Sequence, residues 1–372
     1  MAVPVGGLFA LARRATRRRL RILCYHGFAL EDEARFRPSL FISPNEFGQR
    51  MRHIARAGFP VISLNDAARL LEQDAIDEAP VVLTIDDGFY STRAVAAPVL
   101  AEHGFPSTLY LTTYYVEKGG PILQLAIAYI CWKSPLQSVN LSGLGLESAG
   151  FAGVVLLDGD KRSELAKELF VAVCETFDSE GRAAFVRRFA ERMEVDYEAL
   201  VASRKLSLLT PEEVAELEAS GMVIELHTHR HVLPEGLDDG LREVLDNRAS
   251  IAGMTGREAR HFCYPSGIWS PTRFASLRLA GVKTATTCEA GLARHGADLL
   301  ALPRILDDLA RQPDRVRGRA FRNNRPLPRP GRRREAQGGI AQRLWQLGGR
   351  NRPAGAGSLK RYCPGKRGRG ES

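Results

Sequence analysis

A short apolar run that ends in two adjacent acids constrains this chain more than any other stretch. Residues 81–85 are mostly apolar and β-branched, which is typical of a buried strand, and Asp86 and Asp87 follow directly. Gly88 comes next, where the backbone must leave the strand or approach a ligand closely. Two carboxylates at a buried strand end repel each other and lose hydration, so a bound divalent metal is one interpretation. A surface Asp-Asp-Gly turn is the alternative.

A second strand-like run, at residues 222–226, leads into a histidine cluster. His227, His229 and His231 are three of the eight histidines in the chain. Clustered imidazoles suit a transition metal, whereas a solvated polar loop is the alternative interpretation. In an extended chain all three side chains would share a face, so the spacing alone does not choose the liganding pair.

Together these stretches resemble two motifs of the polysaccharide deacetylase family, the NodB-homology group of carbohydrate esterases. The first motif, usually Thr-Phe-Asp-Asp-Gly, appears at residues 84–88 with isoleucine in second place, and the second, His-Ser/Thr-x-x-His, appears at residues 227–231. The resemblance implies that Asp86 is the catalytic base and that His229 is a neighbour of the metal site. It also implies three ligands of a divalent metal, namely Asp87, His227 and His231.

A third stretch, Tyr-Pro-Ser-Gly at residues 264–267, resembles the third motif of the family, whose backbone amide helps to hold an oxyanion. Ser266 stands in place of a tyrosine, but a backbone donor does not need the ring, so its amide keeps that role in principle. Cys263 stands where an arginine can occur. An arginine that orients Asp86 must therefore come from elsewhere, and Arg304 is the candidate, with a surface ion pair as the alternative.

The general acid is the least defined part of the predicted site. The late Leu-x-His motif of the family, whose histidine is the usual general acid, is not evident. His295 lies in the corresponding part of the chain, in a loop flanked by glycine. His26, at the exit of the first predicted strand, is a second candidate, and a structural hydrogen-bonded histidine is its alternative interpretation.

The rest of the sequence alternates predicted strands with predicted helices. Ser43, Pro44 and Glu46 mark a helix start, and residues 59–62 are typical of a strand. This alternation favours an α/β fold with mainly parallel strands. The resemblance, which extends over residues 21–310, implies an irregular (β/α) barrel of about seven strands, with the chemistry at the carboxyl ends of the strands.

One long segment interrupts this alternation. Residues 115–206 have helical periodicity and many charges, which predicts an inserted, mostly helical subdomain. A purely structural insertion is favoured over a lid that sets specificity. The predicted organisation is a basic segment at residues 1–20, a barrel domain with this insertion at residues 21–310, and a basic tail at residues 311–372.

The positive net charge of the chain, +9, comes entirely from the C-terminal tail. Residues 311–372 hold 18 Lys and Arg against 3 Asp and Glu, a net charge of +15 that leaves −6 on residues 1–310. With few apolar residues, the tail is predicted to be disordered. One interpretation is that the tail binds nucleic acid, acidic polysaccharide or lipid headgroups. The favoured interpretation is that the tail has no evolved role. The negative net charge of residues 1–310 argues against a specific nucleic-acid partner.

Cysteine usage and the N-terminal segment bear on the compartment. The six cysteines contain no Cys-x-x-Cys pair, which favours a reducing compartment, although disulfides remain an alternative. An apolar run at residues 3–12 precedes a basic cluster at residues 13–21, the reverse of a secretory signal, and no segment is long enough to span a bilayer. We expect a protein that is cytoplasmic or peripheral to the membrane.

The resemblance implies a hydrolase that removes acetyl groups from N-acetylated, or less readily O-acetylated, sugars of a polysaccharide or oligosaccharide. Two imidazoles and one carboxylate favour zinc as the cofactor, and the same donors accept cobalt, nickel or iron(II). Two alternatives remain at this stage. The same fold could hydrolyse another C–N bond, such as that of a cyclic imide or amide, or the chain is a non-catalytic carbohydrate-binding relative.

Overall fold

The structure of the chain is a computed structural model that describes residues 13–307. The basic tail at residues 311–372, with its predicted disorder, lies outside the described residues, as does the apolar run at residues 3–12. Among residues 13–307, the helices are all too short or too polar to cross a membrane.

Seven parallel strands close into a barrel, in the order β1-β11-β10-β9-β8-β5-β4. They are β1 (Arg21–Tyr25), β4 (Val81–Asp87), β5 (Ser107–Leu111), β8 (Met222–Leu226), β9 (His261–Cys263), β10 (Thr284–Ala290) and β11 (Leu302–Leu306). Four short strands lie outside the barrel as two pairs, β2 (Gly27–Phe28) with β3 (Phe41–Ile42) and β6 (Ser138–Asn140) with β7 (Val154–Leu156). The predicted barrel of about seven strands is confirmed.

Twelve α-helices have described bounds. They are α1 (Glu33–Phe36), α2 (Pro44–Arg56), α3 (Leu64–Glu72), α4 (Ala97–Glu102), α5 (Thr113–Lys118), α6 (Leu123–Lys133), α7 (Lys161–Thr176), α8 (Ser179–Arg192), α9 (Tyr197–Ser203), α10 (Pro211–Ala219), α11 (Leu237–Thr255) and α12 (Phe274–Leu279). A π-helix at Thr92–Ala96 leads into α4, and short 3₁₀ turns occupy Glu147–Ala149, Pro265–Gly267 and Pro271–Arg273.

Local sequence signals set the helix starts. Ser43 accepts a hydrogen bond from the Glu46 amide, and the Glu46 carboxylate accepts one from the Ser43 amide, so α2 begins with a capping box as predicted. The strand predicted at residues 59–62 is not formed. Pro60 has no N–H to donate to a ladder, and only Val61 makes an isolated parallel bridge, to Val81.

The segment between β5 and β8 contains α5 to α10, in keeping with the helical periodicity, and also the β6–β7 hairpin, which the sequence analysis missed. Its last residues return to the barrel. The Tyr90 amide donates to the Ser207 carbonyl, and the Leu209 amide donates to the Gly88 carbonyl. The segment therefore supports the loop that follows β4.

Because all seven barrel strands are parallel, their carboxyl ends meet at one rim, which we call the barrel mouth. Strand β4 is buried along its whole length, and its last two residues are Asp86 and Asp87. Strand β8 ends at Leu226, so the histidine cluster follows at the same rim. The opposite rim is the amino end of the barrel.

Candidate metal centre at the barrel mouth

Three side chains from two strand ends converge at the barrel mouth. The Asp87 Oδ1 atom lies 3.2 Å from His227 Nε2 and 3.1 Å from His231 Nε2. Asp87 is 8% exposed, His227 2% and His231 6%, so neither a surface turn nor a solvated loop describes these stretches. We call Asp87, His227 and His231 the ligand trio.

The backbone at the trio adopts conformations that L-residues seldom take. Asp87 has φ 73°, Thr228 φ 62° and His231 φ 56°. Gly88 has φ 96°, and a Cβ there would lie 2.3 Å from Leu111 Cδ1, so both the turn and the close packing require glycine. Left-handed conformations of non-glycine residues cost about 1–3 kcal/mol each and cluster at functional sites, where the surrounding structure enforces them.

The orientation of His227 is set by backbone contacts. Its Nδ1 lies 2.8 Å from the Cys263 carbonyl oxygen, which only accepts hydrogen bonds, so Nδ1 carries the proton. In the neutral ring Nε2 therefore carries the lone pair that can bind a metal, and in the protonated ring Nε2–H donates to Asp87 Oδ1, 3.2 Å away. The His227 amide donates to Asn247 Oδ1 at 2.9 Å, and the Asn247 side chain donates to the Leu111 carbonyl and to Thr113 Oγ1, both at 3.0 Å.

The donor set and spacing of the trio fit a divalent transition metal. Its three ligand atoms lie within 4.8 Å of one another. Two atoms that share a tetrahedral zinc ion at bond lengths of about 2.0–2.1 Å are about 3.3–3.4 Å apart, close to the separations from Asp87. A histidine that donates its other ring N–H to a carbonyl is the usual arrangement around such an ion.

A second carboxylate, Asp86, is held beside the trio by a buried arginine. Arg304 Nη1 and Nη2 lie 2.8 and 2.7 Å from Asp86 Oδ1 and Oδ2, a bidentate pair in which Asp86 is 2% and Arg304 0% exposed. Arg304 is therefore not part of a surface ion pair. Cys263 and Cys24 place their sulfur atoms 3.3 and 3.5 Å from Asp86 Oδ2.

The charges of this cluster follow from burial and close partners. Burial alone would raise the pKa of Asp86, but the adjacent Arg304 guanidinium outweighs it and leaves that pKa well below its usual value. Burial opposes ionisation of Asp87 in the same way, and its contacts with the two imidazoles of the trio hold its pKa low. Burial raises the pKa of the Cys24 and Cys263 thiols, which therefore stay protonated. Both carboxylates are consequently ionised at neutral pH.

The structure brings His26, but not His295, to this cluster. His26 follows β1 and places Nε2 3.7 Å from Asp86 Oδ2, with 24% of its side chain exposed. His295 Nδ1 lies 2.9 Å from the Leu71 carbonyl oxygen, and nearby Ala293 bridges to Leu20, which precedes β1. His295 therefore lies at the amino end of the barrel, because the loop after β10 returns there before β11 begins.

The remaining predicted residues lie around the mouth. Ser266 is exposed, at the centre of the Pro265–Gly267 turn, with φ 56°. The Gly267 amide donates to the Tyr264 carbonyl, and a Cβ on Gly267 would lie 2.6 Å from Cys288 Cβ, so the turn packs tightly on β10. His229 places Nδ1 2.8 Å from Thr113 Oγ1 and is not one of the trio.

Two kinds of residue at the site escaped the sequence analysis. Asn247 lies in the middle of α11, where its only sequence signal is a polar residue on the buried face of a helix. Cys24 resembles a core residue by composition, Cys263 was noted only for its place in the third motif, and only the barrel closure places both against Asp86. The five cysteines among residues 13–307 are free thiols, namely Cys24, Cys131, Cys174, Cys263 and Cys288.

Comparisons with known proteins agree with this arrangement. Residues 166–285 match the family model described as polysaccharide deacetylase, a range that includes both trio histidines but begins after the paired aspartates. The resemblance to the polysaccharide deacetylases is confirmed. No curated protein matches the chain.

Two solved deacetylase structures share the fold. The deacetylase PplD of Streptococcus pyogenes, solved in complex with acetate, is 18% identical, with a TM-score of 0.52 over 82% of this chain and 99% of that chain. IcaB from Ammonifex degensii is 19% identical, with a TM-score of 0.50 over 82% of this chain and 98% of that chain. At these identities the likeness establishes the barrel fold alone.

Proposed function

We propose that the protein is a metal-dependent hydrolase that removes acetyl groups from N-acetylated sugars of a polysaccharide or oligosaccharide. The observation that carries the proposal is the convergence at one rim of the ligand trio with the ionised Asp86–Arg304 pair. The family match and the deacetylase neighbours support this substrate class.

Asp87, His227 and His231 would hold the metal, and zinc suits their two nitrogens and one oxygen best, although cobalt, nickel and iron(II) accept the same donors. When bound, a divalent metal supplies Lewis-acid polarisation of the acetyl carbonyl and lowers the pKa of water. His227 keeps its Nε2 lone pair available because its Nδ1 proton is committed to the Cys263 carbonyl.

Asp86 is the proposed general base. Arg304 occupies both of its oxygens from one side and fixes the plane of the carboxylate, and it also keeps the carboxylate ionised. A carboxylate with a lowered pKa is a weak base, so it accepts a proton effectively only from water that is already acidified. This requirement explains why the base and the metal ligand are adjacent residues.

His26 is the proposed general acid, in preference to His295. Its Nε2 lies near Asp86 and its side chain reaches the solvent-open side of the mouth, where a departing amine would take up a proton. Ser266 is the proposed source of a backbone N–H for the oxyanion, because it sits at the apex of a tight turn at the same rim.

The decisive experiment combines elemental analysis of the purified protein with an acetate-release assay on N-acetylated chito-oligosaccharides. We expect about one zinc, or a substitute divalent ion, per chain, with acetate released in proportion to metal content. Asp86→Asn should retain the metal and lose turnover, whereas His53→Gln, on the exposed face of α2, should change neither.

Two outcomes would replace the proposal. Metal-dependent turnover of small cyclic imides without acetate release would assign a different C–N substrate to the same fold. An Asp86→Asn variant that matches the wild type on every substrate would identify a non-catalytic, carbohydrate-binding protein.

A further inference from the structure

A second group of metal-binding atoms lies next to the ligand trio and shares no residue with it. Cys24 Sγ, His26 Nε2 and an Asp86 carboxylate oxygen all lie within 4.8 Å of one another. Cys24 and His26 are two residues apart around the end of β1, so both side chains point to the inside of the barrel. Neither thiol nor imidazole is needed to complete the trio.

The spacing of this group fits a thiophilic ion. Cys24 Sγ lies 3.5 Å and His26 Nε2 3.7 Å from Asp86 Oδ2. With zinc–sulfur bonds of about 2.3 Å and zinc–oxygen bonds of about 2.0 Å, a tetrahedral ion separates its sulfur and oxygen ligands by about 3.5 Å. A thiolate with an imidazole selects zinc, cadmium or other soft cations over magnesium and calcium.

A third group, formed by Asp86, His227 and Cys263, is less suitable for a separate ion. His227 Nε2 already faces Asp87, and Cys263 is fully buried with its sulfur 3.1 Å from Arg304 Nη2. His26, with 24% of its side chain exposed, and Cys24, which is 2% exposed, line a cleft together with residues 38–42. An ion from solution therefore reaches this group from the side of His26.

We propose that Cys24, His26 and Asp86 form a second, inhibitory site for thiophilic divalent cations. Binding replaces the Cys24 thiol proton, which passes to solvent, with a sulfur–metal bond. The bound ion then occupies the carboxylate and the imidazole that are proposed to move protons. Arg304 and an ion in the trio repel a second cation, so in the wild type this site is the weaker one and fills second.

The ion binding does not depend on the proposed function, whereas the inhibition does. The test is therefore a titration of the full chain with Cd²⁺, followed by equilibrium dialysis and by the ultraviolet charge-transfer absorption of cadmium bound to thiolate. We expect two ions per chain, with the absorption appearing only as the second ion binds. Cys24→Ser should bind one ion and lose the absorption.

Matched cysteine variants locate the signal. Cys174→Ser, at a buried cysteine of α7, and Cys363→Ser should keep the absorption. His26→Gln, which alters a partly exposed side chain and so tests the site without disturbing the core, should weaken binding of the second ion at least tenfold. His231→Gln should lose the ion of the trio and keep the thiolate absorption.

The activity readout separates this inference from the proposed function. Acetate release by the wild type should rise with the first equivalent of Zn²⁺ and fall with excess Zn²⁺. An enzyme that releases acetate but binds one Cd²⁺ without thiolate absorption, or that keeps the absorption in Cys24→Ser, would overturn the second site and leave the proposed function standing. Thiolate absorption without acetate release would overturn the function and leave the site.

Discussion

The two ends of the barrel hold similar buried polar residues but use them differently. At the amino end, His261 Nε2 donates to Asn65 Oδ1 at 2.9 Å and its Nδ1 accepts from Thr284 Oγ1 at 2.8 Å, so both ring nitrogens have protein partners. At the mouth, the Nε2 atoms of His227 and His231 both face one oxygen of Asp87.

Carboxylates show a similar contrast between a structural role and the mouth. Glu225 Oε2, near the end of β8, accepts from the amides of Arg260 and His261, at 2.6 and 2.7 Å, and so joins β8 to β9. In its described side-chain contacts Asp87 faces only the two imidazoles of the trio, and its backbone is left-handed. Polar side chains whose hydrogen bonds join elements of the fold stabilise it, as Glu225 and His261 do. The trio side chains instead face one another on a strained backbone at the mouth, and they are available to bind a ligand.

The largest expected effect is the difference in metal binding and activity between variants of Asp87 and of Glu225. Asp87→Ala should abolish metal binding and lower kcat/KM for acetate release by about 10⁴-fold or more, which corresponds to about 5–6 kcal/mol, because the trio loses its only oxygen donor. Glu225→Gln, at the carboxylate that joins β8 to β9, should retain the metal. Elemental analysis with initial-rate kinetics checks both variants, and a metal-loaded Asp87→Ala protein would refute the ligand assignment.

The next effect is a difference in the free energy of unfolding between variants of Arg304 and of Arg257. Arg304→Met should lower the free energy of unfolding by about 3–5 kcal/mol, because it leaves the buried Asp86 carboxylate without a cation. Arg257→Met should cost much less, since Arg257 pairs with Glu218 and Glu225 from a position where a third of its side chain is exposed and water replaces the lost contacts. Urea denaturation measures both values, and equal losses would contradict the contrast.

A smaller effect concerns pH and the amino end. Burial lowers the pKa of His261 from 6.5 to about 4. The unfolded chain therefore takes up a proton between pH 6.5 and about 4 that the folded chain refuses, so stability falls as pH falls through this window, by up to about 3 kcal/mol. His261→Gln should flatten that part of the stability curve, measured by denaturation at several pH values, and an unchanged slope would contradict the assignment.

The smallest effect concerns the two asparagines. Asn247→Ala should weaken metal affinity by about 10–100-fold, because it removes the hydrogen bond that holds the His227 backbone. Asn65→Ala removes the partner of His261 and should leave metal affinity unchanged. Competition with a chromogenic chelator measures both, and a loss of affinity in Asn65→Ala would show that the two ends are coupled.

Residues close in sequence were the easier part of the site to predict. Asp86 and Asp87 are neighbours, and the trio histidines are four residues apart, so short motifs indicate them. Arg304 lies 218 residues from its partner, and it was found as a candidate only because the third motif lacks an arginine. His295 occupies the expected part of the sequence, but the loop after β10 carries it to the other end of the barrel.

The sequence alone determined the alternation of strands and helices and the two motifs, because periodicity, capping residues and adjacent acids act over a few residues. The barrel class was implied by the family resemblance of those motifs. Only the tertiary structure decided which rim each side chain reaches. Asn247 and Cys24 touch the site through barrel closure, and no local pattern encodes a contact between distant segments. A parallel barrel makes the strand direction decisive, because all carboxyl ends share one mouth.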